Sequence, residues 1–269
     1  MQKQIKIAGV RIDYREEGRG QPLILVHGLG AHQHLWDRNI DGLARHFRVI
    51  TPDLPGCGRS GKPFFFDYSF IHLGQVLEKF VLNFAPEKVA LVGNSLGGGL
   101  ALLAASQIPQ HLSHLIVMGS VCYPQPIPPG FAIGRIPVVG ELAMLFFGKW
   151  AVRFVLRESV VDQSLVTREW VNLFSRPIYS PFWRAAQLKT VRGIIPKAVN
   201  VVTDAYKQIQ VPTLILWGKE DGITPTYLGE RLHQNIPGSR LELIPGCGHV
   251  PQFEKPDVVN RLILDFLKR

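Results

Sequence analysis

The sequence predicts an α/β fold with a mostly parallel, doubly wound sheet and one helical insertion. Short apolar runs bounded by glycine or proline alternate with stretches of helical spacing along most of the chain. Strands that alternate with helices are typical of a parallel sheet covered by helices on both faces. The alternation stops once, from about Cys122 to Gln210, where the sequence offers no convincing core strand. An inserted helical cap is the simplest explanation of that interruption.

Eight segments are expected to form the sheet. The first two, Ile5–Val10 and Arg11–Arg15, alternate in polarity before a glycine-rich stop, which favours an antiparallel pair at one edge. The other six are short apolar runs of the kind that lie buried on both faces of a sheet. They are Pro22–His27, Arg48–Pro52, Lys88–Gly93, His114–Gly119, Thr213–Gly218 and Arg240–Pro245.

Helical spacing is found between these strands and in the insertion. The core helices are predicted at His34–Leu43, Ile71–Phe84, Leu96–Gln107, Pro225–Asn235 and Pro256–Leu267. The insertion (residues 122–210, the cap segment) opens with several prolines and continues with helical stretches around Leu142–Leu156 and Phe182–Tyr206. Residues 1–121 and 211–269 are then expected to form one α/β core.

Composition and charge exclude several classes of protein. With 46% hydrophobic and 19% charged residues, the chain is ordinary for a globular protein. The net charge is +9, and in residues 122–211 eleven Lys and Arg stand against five Asp and Glu. These charges are dispersed and form no basic stripe, so a nucleic-acid partner is not expected.

The sequence gives no sign of export, membrane spanning or metal binding. Residues 1–9 lack the basic start and apolar stretch of a secretory signal, and the most apolar stretches of the chain are interrupted by glycines or charges. Cys57, Cys122 and Cys247 are too scattered for a disulfide framework or a zinc cluster. We therefore expect a cytoplasmic protein with free thiols and without a metal or cofactor.

The strongest functional signal is Gly93-Asn94-Ser95-Leu96-Gly97, a G-x-S-x-G motif placed directly between a strand and an apolar helix. A side chain held at the tip of such a turn needs a strained backbone, and this requires small neighbours such as Gly93 and Gly97. The turn presents the Ser95 hydroxyl as a nucleophile. It also leaves the Leu96 N–H at a helix start, where it can bind an oxyanion.

With this motif the chain resembles the α/β-hydrolase superfamily, in its serine esterase and lipase-like branch, over nearly all of its length except the cap segment. Val26-His27-Gly28-Leu29-Gly30 resembles the family's HGxG loop, which implies that the Leu29 N–H is the second oxyanion donor. Residues 53–60, DLPGCGRS, resemble a turn that is usually structural in this family, so we assign them no catalytic step.

The resemblance also implies the other two members of a catalytic triad. Trp217-Gly218-Lys219-Glu220-Asp221 is similar to the segment that delivers the acid, with Asp221 as the first choice and Glu220 as a substitute. Some relatives place the acid after the preceding strand, but Gly119-Ser120-Val121 offers no carboxylate there. His249 lies in a glycine-flanked loop that resembles the family's histidine loop, and it completes the order Ser, Asp, His.

Together these residues predict a serine hydrolase. A serine hydroxyl is a weak nucleophile until an imidazole takes its proton, an acid must fix the tautomer of that imidazole, and N–H donors must hold the oxyanion. Ser95 argues against haloalkane dehalogenases and epoxide hydrolases, which need an aspartate at this position. The expected reaction is cleavage of carboxylic esters of a small, lipophilic acyl substrate through an acyl-enzyme.

Other functions stay open. C–C bond hydrolases of ring-fission products and cofactor-free haloperoxidases or perhydrolases share this pattern within the superfamily. A function of another class is that of a small-molecule receptor that retains the triad, with slow or absent turnover.

The cap segment carries an amphipathic pattern. Basic residues recur at intervals of four and share one helical face: Lys149, Arg153 and Arg157. Aromatic residues gather on another: Phe147, Trp150 and Phe154. In the simplest interpretation the aromatic face packs on the rest of the protein and the basic face is solvated. Alternatively, the aromatic side chains line an acyl pocket above Ser95, and the basic face attracts anionic substrates or an anionic lipid surface.

Overall fold

A computed structural model describes residues 1–125, 129–194 and 203–268 of the protein. Its eight strands form one sheet in the order β1-β2-β4-β3-β5-β6-β7-β8. The first two strands of the chain pair antiparallel, β2 pairs antiparallel with β4, and every other pair is parallel. The strands are β1 (Gln2–Ile7), β2 (Val10–Glu17), β3 (Pro22–Val26), β4 (Arg48–Pro52), β5 (Val89–Asn94), β6 (Leu112–Met118), β7 (Thr213–Gly218) and β8 (Arg240–Ile244).

The sheet confirms the predicted fold class, including the antiparallel edge. The helices of the core are α1 (Asp37–Leu43), α2 (Phe70–Leu82), α3 (Leu96–Gln107), α9 (Thr226–Asn235), α10 (Pro251–Glu254) and α11 (Pro256–Leu267). Between β6 and β7, the described residues include the helices α4 (Pro129–Arg135), α5 (Val139–Leu145), α6 (Lys149–Glu158), α7 (Arg168–Ser175) and α8 (Pro181–Gly193).

The two faces of the sheet are covered by different helices. Along β3, Leu23 and Leu25 join one hydrophobic cluster, while Ile24 and Val26 join the other, as the alternation of side chains in a strand requires. The first cluster includes residues of α1 and α11, and the second includes residues of α2, α3 and α9. A sheet buried on both faces holds the ends of its strands rigidly, which is where a site can be built.

The cap segment departs from the sequence prediction in one respect. The single helix expected around Leu142–Leu156 is wrong, because α5 ends at Leu145 and α6 begins at Lys149. Gly148 lies between them with an extended backbone (φ −120°, ψ −171°), and glycine is a poor helix former. The stretch expected around Phe182–Tyr206 is helical up to Gly193, while residues 195–202 lie outside the described residues.

The helices and the cysteines bear on the expected absence of a membrane span and on the expected free thiols. None of the helices in the described ranges is long and apolar enough to cross a bilayer. Cys57, Cys122 and Cys247 are buried and free. Burial raises the pKa of Cys57 to about 12, so this thiol is held in its protonated, unreactive form.

Candidate active site

Ser95 occupies the tight turn between β5 and α3. Its backbone has φ 55° and ψ −120°, a conformation that a residue with a side chain rarely adopts. The turn is held on both sides, because the Ser95 N–H donates to the Met118 carbonyl (2.9 Å) and the Ser95 carbonyl accepts the Val121 N–H (3.1 Å). The serine is half-buried, at the carboxyl edge of the sheet.

The glycines around this turn are required by close approaches. A Cβ on Gly93 would overlap the Gly97 carbonyl, and a Cβ on Gly97 would lie 2.5 Å from the carbonyl oxygens of Val26 and His27. A Cβ on Gly28 would lie 2.9 Å from the Ser95 Cβ. The loop after β3 therefore packs directly against the serine turn, and only glycine allows that distance.

Asp221 and His249 form a buried pair. His249 Nδ1 lies 2.9 Å from Asp221 Oδ2, at the ends of β7 and β8. The other carboxylate oxygen of Asp221 accepts the N–H groups of Ile223 and Thr224, each at 2.9 Å. Because an ionised carboxylate can only accept, His249 Nδ1 carries the proton and Nε2 is left as a base.

The ionisation of Asp221 follows from these contacts. Burial by itself would raise the pKa of Asp221, but the facing His249 and the hydrogen bonds from Thr224 outweigh it and lower that pKa below its ordinary value. The Thr224 hydroxyl donates to Asp221 Oδ2 at 2.7 Å and lies 3.1 Å from His249 Nδ1. The acid is therefore held ionised beside the imidazole.

The serine and the acid–base pair meet at one small region. The Asn94 side chain donates to the carbonyls of His249 (3.0 Å) and Met118 (3.1 Å), which ties the serine turn to the histidine loop. A Cβ on Gly119 would lie 2.9 Å from Asp221 Oδ2 and 3.2 Å from His249 Nδ1. The contacts of the described residues do not include a hydrogen bond from Ser95 Oγ to His249 Nε2, a bond that often tightens only when substrate is bound.

The loop after β3 is braced by the side chain of His27. The Leu54 N–H donates to His27 Nε2 (3.0 Å), so the proton of this imidazole is on Nδ1, which donates to the Gly28 carbonyl (2.7 Å). Burial lowers the pKa of His27, in keeping with a neutral ring. In a trans peptide the N–H points opposite to the C=O, so the Leu29 N–H points away from His27.

A second N–H lies at the start of α3. Leu96 is the first residue of that helix, and the N–H groups of a first turn have no acceptor within the helix. Among the described residues, no backbone acceptor is found for the Leu29 N–H outside helices and strands. The positive end of a helix and a neighbouring free N–H are the elements of an oxyanion site.

Two carboxylates named in the sequence analysis, Asp53 and Glu220, lie apart from the pair of Asp221 and His249. Asp53 accepts the N–H groups of Gln33 and Arg59, each at 2.7 Å, and so braces the turn of residues 53–60. Glu220, the substitute acid, is exposed and accepts the Cys247 N–H at 3.0 Å, with no contact to the imidazole of His249 among its recorded hydrogen bonds. Asp221 is the carboxylate that pairs with the histidine.

Glu254 was missed by sequence reasoning. Its buried carboxylate accepts the N–H groups of Val161 (2.8 Å) and Asp162 (2.7 Å) in the cap segment, and of Gly248 (2.7 Å) beside His249. No local signal could have found it, since two of its partners are about ninety residues away in the chain. Thr224 was missed too, although its place three residues after Asp221 is a local signal.

The inner side of the cap segment lies over the loop after β3. A Cβ on Gly30 would lie 3.9 Å from both Trp183 and Gln187 of α8, and Phe147 lies against Trp183 with ring centroids 6.3 Å apart. For Trp150 and Phe154 both interpretations are wrong, the packing of the aromatic face on the rest of the protein and the acyl pocket, because the two side chains are exposed by 70% and 61%. The inward-facing side of α6 carries the aliphatic residues Ala151, Val152 and Leu156 instead.

The described residues contain no group of three or more His, Cys, Asp or Glu that could hold a metal ion.

Known proteins resemble this chain over almost its whole length. The family profile described as "alpha/beta hydrolase fold" matches residues 21–256. A 2-hydroxy-6-oxo-6-phenylhexa-2,4-dienoate hydrolase of Burkholderia cepacia is 30% identical over 277 residues, which cover 97% of this chain and 92% of the relative.

Solved structures give the same result. A meta-cleavage product hydrolase from Pseudomonas fluorescens IP01 superposes with a TM-score of 0.84 at 27% identity, over 99% of this chain and 97% of that chain. A thermophilic esterase from Thermogutta terrifontis superposes with a TM-score of 0.82 at 25% identity, over 100% of this chain and 98% of that chain. The profile match and these likenesses lead to one conclusion: the chain belongs to the alpha/beta hydrolase fold family and is a hydrolase.

Proposed function

We propose that this hydrolase cleaves carboxylic esters through an acyl-enzyme on Ser95, with His249 as the base and Asp221 as the orienting acid. The observation that carries the proposal is the buried 2.9 Å contact between His249 Nδ1 and Asp221 Oδ2. It leaves Nε2 of the imidazole as the proton acceptor of a site whose serine is held in a strained turn.

The reaction follows from these positions. Ser95 Oγ attacks the acyl carbon while His249 Nε2 takes its proton, and the carbonyl oxygen becomes an oxyanion held by the Leu29 and Leu96 N–H groups. Each such donor contributes about 3–4 kcal/mol to the transition state in a well-studied case. The leaving alcohol takes the proton back from Nε2, and a water activated by the same nitrogen then hydrolyses the acyl-enzyme.

The surroundings of the site favour a lipophilic acyl group. Phe147 and Trp183 provide aromatic surface on the cap side, and Leu29 provides apolar surface on the core side. We take residues 122–210 as the lid over residues 1–121 and 211–269. The three buried, unpaired cysteines support a reducing, cytoplasmic compartment.

A panel of p-nitrophenyl esters of increasing acyl length, assayed with wild type and Ser95→Ala, tests this function. We expect an optimum at an intermediate chain length, and a loss of kcat in Ser95→Ala on the order of a millionfold, as when a nucleophile of this type is removed. Undiminished ester hydrolysis by Ser95→Ala would show that another residue attacks the substrate.

One observation favours a second function, the hydrolysis of a C–C bond in a ring-fission product. Trp183 Nε1 and Gln187 Oε1 are buried and without hydrogen-bond partners among the described residues, and both side chains lie at Gly30. A substrate with an oxygen acceptor and a hydroxyl donor would satisfy both groups. The Burkholderia cepacia relative is named for such a compound, a hydroxy-oxo-dienoate.

Trp183→Phe separates the two functions, because it removes the N–H and keeps an aromatic ring. If the polar pair binds substrate, turnover of a 2-hydroxy-6-oxo dienoate should fall about tenfold more than turnover of an apolar ester. Trp170→Phe is the matched control, since Trp170 Nε1 is also buried and unpartnered but its ring stacks on Phe253. Equal effects of both variants on both substrates would exclude a polar subsite at Trp183.

A further inference from the structure

Helix α5 presents an apolar stripe to solvent. Val139, Leu142 and Phe146 recur at intervals of three and four residues, the spacing of one helix face, and all three are exposed, Phe146 by 77%. In a globular protein such a stripe normally faces the core. Here Glu141, on the opposite side of the same helix, accepts two hydrogen bonds from Arg192 of α8 (2.6 and 2.8 Å), so the stripe faces away from α8.

Helix α6 continues this surface with aromatic and basic residues. Its buried side consists of Ala151, Val152 and Leu156. Trp150 and Phe154 lie on the opposite half, next to Arg153 and Arg157, since at 3.6 residues per turn these four positions span only about 100°. The aromatic face therefore adjoins the basic face on the solvent side.

The exposed residues of the two helices meet at Phe146 and Trp150. The Trp150 indole N–H donates to the Phe146 carbonyl at 3.2 Å, which fixes the first turn of α6 against the end of α5. The outer cap face comprises the exposed apolar residues Val138, Val139, Leu142, Leu145, Phe146, Trp150 and Phe154. An exposed apolar cluster of this extent is unusual for a surface that contacts only water.

The charges beside the outer cap face select its partner. In a symmetric dimer joined face to face, Arg153 and Arg157 of one copy would approach those of the other, and like charges oppose such pairing. An anionic lipid surface matches both the aromatic and the basic residues of this face, because aromatic side chains are accommodated at the level of the head groups and arginines bind phosphate.

We propose that the outer cap face docks on the surface of an anionic phospholipid bilayer. Phe146 and Trp150 enter the head-group region, and Arg153 and Arg157 contact lipid phosphates. The docking is independent of the chemistry of the site, so it is measured equally well with the Ser95→Ala protein.

Co-sedimentation with vesicles of phosphatidylcholine, with and without phosphatidylglycerol, tests the proposal. We expect binding to the anionic vesicles that weakens as salt is raised. Phe146→Ser with Trp150→Ser should lower the partition coefficient on the order of a hundredfold, through lost apolar burial. Arg153→Gln with Arg157→Gln should lower it on the order of tenfold at low salt. Lys149 is left unchanged because it donates to Asn172 of α7 (2.9 Å).

Matched controls come from the core. Leu82→Ser removes an exposed apolar residue at the carboxyl end of α2. The other end of α2, at Ser69, is the one that lies against Gly193 of the cap segment. Lys79→Gln with Lys88→Gln removes two exposed positive charges. Both controls should bind anionic vesicles as wild type does.

Tryptophan fluorescence locates the docking. Trp150 is exposed while Trp36, Trp170, Trp183 and Trp217 are buried, so a blue shift of emission on vesicles should come from Trp150. Trp150→Phe should keep most of the binding and lose the shift. Absence of wild-type binding, equal loss in the core controls, or a dimer in solution that Phe146→Ser with Trp150→Ser dissociates would each overturn the proposal.

Discussion

The two sides of the active site differ in how their polar atoms are bound. On the core side, Asp221 has its oxygens occupied by His249, Ile223 and Thr224, and both ring nitrogens of His27 are paired. On the cap side, within the described residues, Trp183 Nε1 and Gln187 Oε1 have no partner. The fixed partners of Asp221 and His27 suit chemistry, which needs fixed geometry, while the unpaired groups of α8 suit selection among substrates.

The largest test of this difference is Asp221→Asn. The amide would donate to His249 Nδ1 and so place the imidazole proton on Nε2, the wrong nitrogen for a base. We expect kcat to fall on the order of 10⁴-fold with little change in KM. Kinetics on an apolar ester measure it, with Thr224→Val as a smaller step that removes one donor to Asp221 Oδ2. A rise in KM without a change in kcat would mean that Asp221 contributes to substrate binding rather than to the chemical step.

Acid should weaken the contact between cap and core through His32. Its imidazole stacks on Phe174 of α7 (4.5 Å), and burial lowers its pKa to about 4, although nearby Asp53 acts in the opposite direction. An unfolded histidine titrates near 6.5, so this contribution to stability is complete above pH 6.5 and is lost as the pH falls from 6.5 to about 4. The shift corresponds to about 3 kcal/mol of unfolding free energy.

Denaturant titrations across that pH range check the prediction. His32→Gln should flatten the dependence of unfolding free energy on pH, whereas His46→Gln, at an exposed position on the core, should leave it as in wild type. If both variants keep the wild-type slope, the acid sensitivity lies elsewhere.

A smaller effect is expected from Glu254→Gln. The amide has one acceptor oxygen for three backbone N–H groups, so at least one of them loses its partner at a cost of about 1–3 kcal/mol. This corresponds to a fall in Tm of about 5 °C for a chain of this size. Calorimetry measures it, and Glu220→Gln is the matched control, since that exposed carboxylate accepts one N–H. Equal shifts in Tm for the two variants would show that Glu254 stabilises the protein no more than Glu220 does.

Most of the core side could be predicted from the sequence, because its signals are local. The turn at Ser95 needs glycines two residues away on each side, and the ends of the predicted strands indicate where Asp221 and His249 lie. The cap side could not. Helical spacing shows that α6 has an apolar face, but the direction of that face depends on packing, and Trp150 and Phe154 point outward.

The end of α6 has a consequence for any attempt to exchange lids between relatives. Ser159 directly follows this helix, and its carbonyl accepts the His249 N–H at 2.8 Å. A transplanted segment that does not place a backbone carbonyl at this point would leave the His249 N–H without this acceptor. The cap segment thus helps to position His249, and we expect that exchanging it would alter reactivity together with substrate choice.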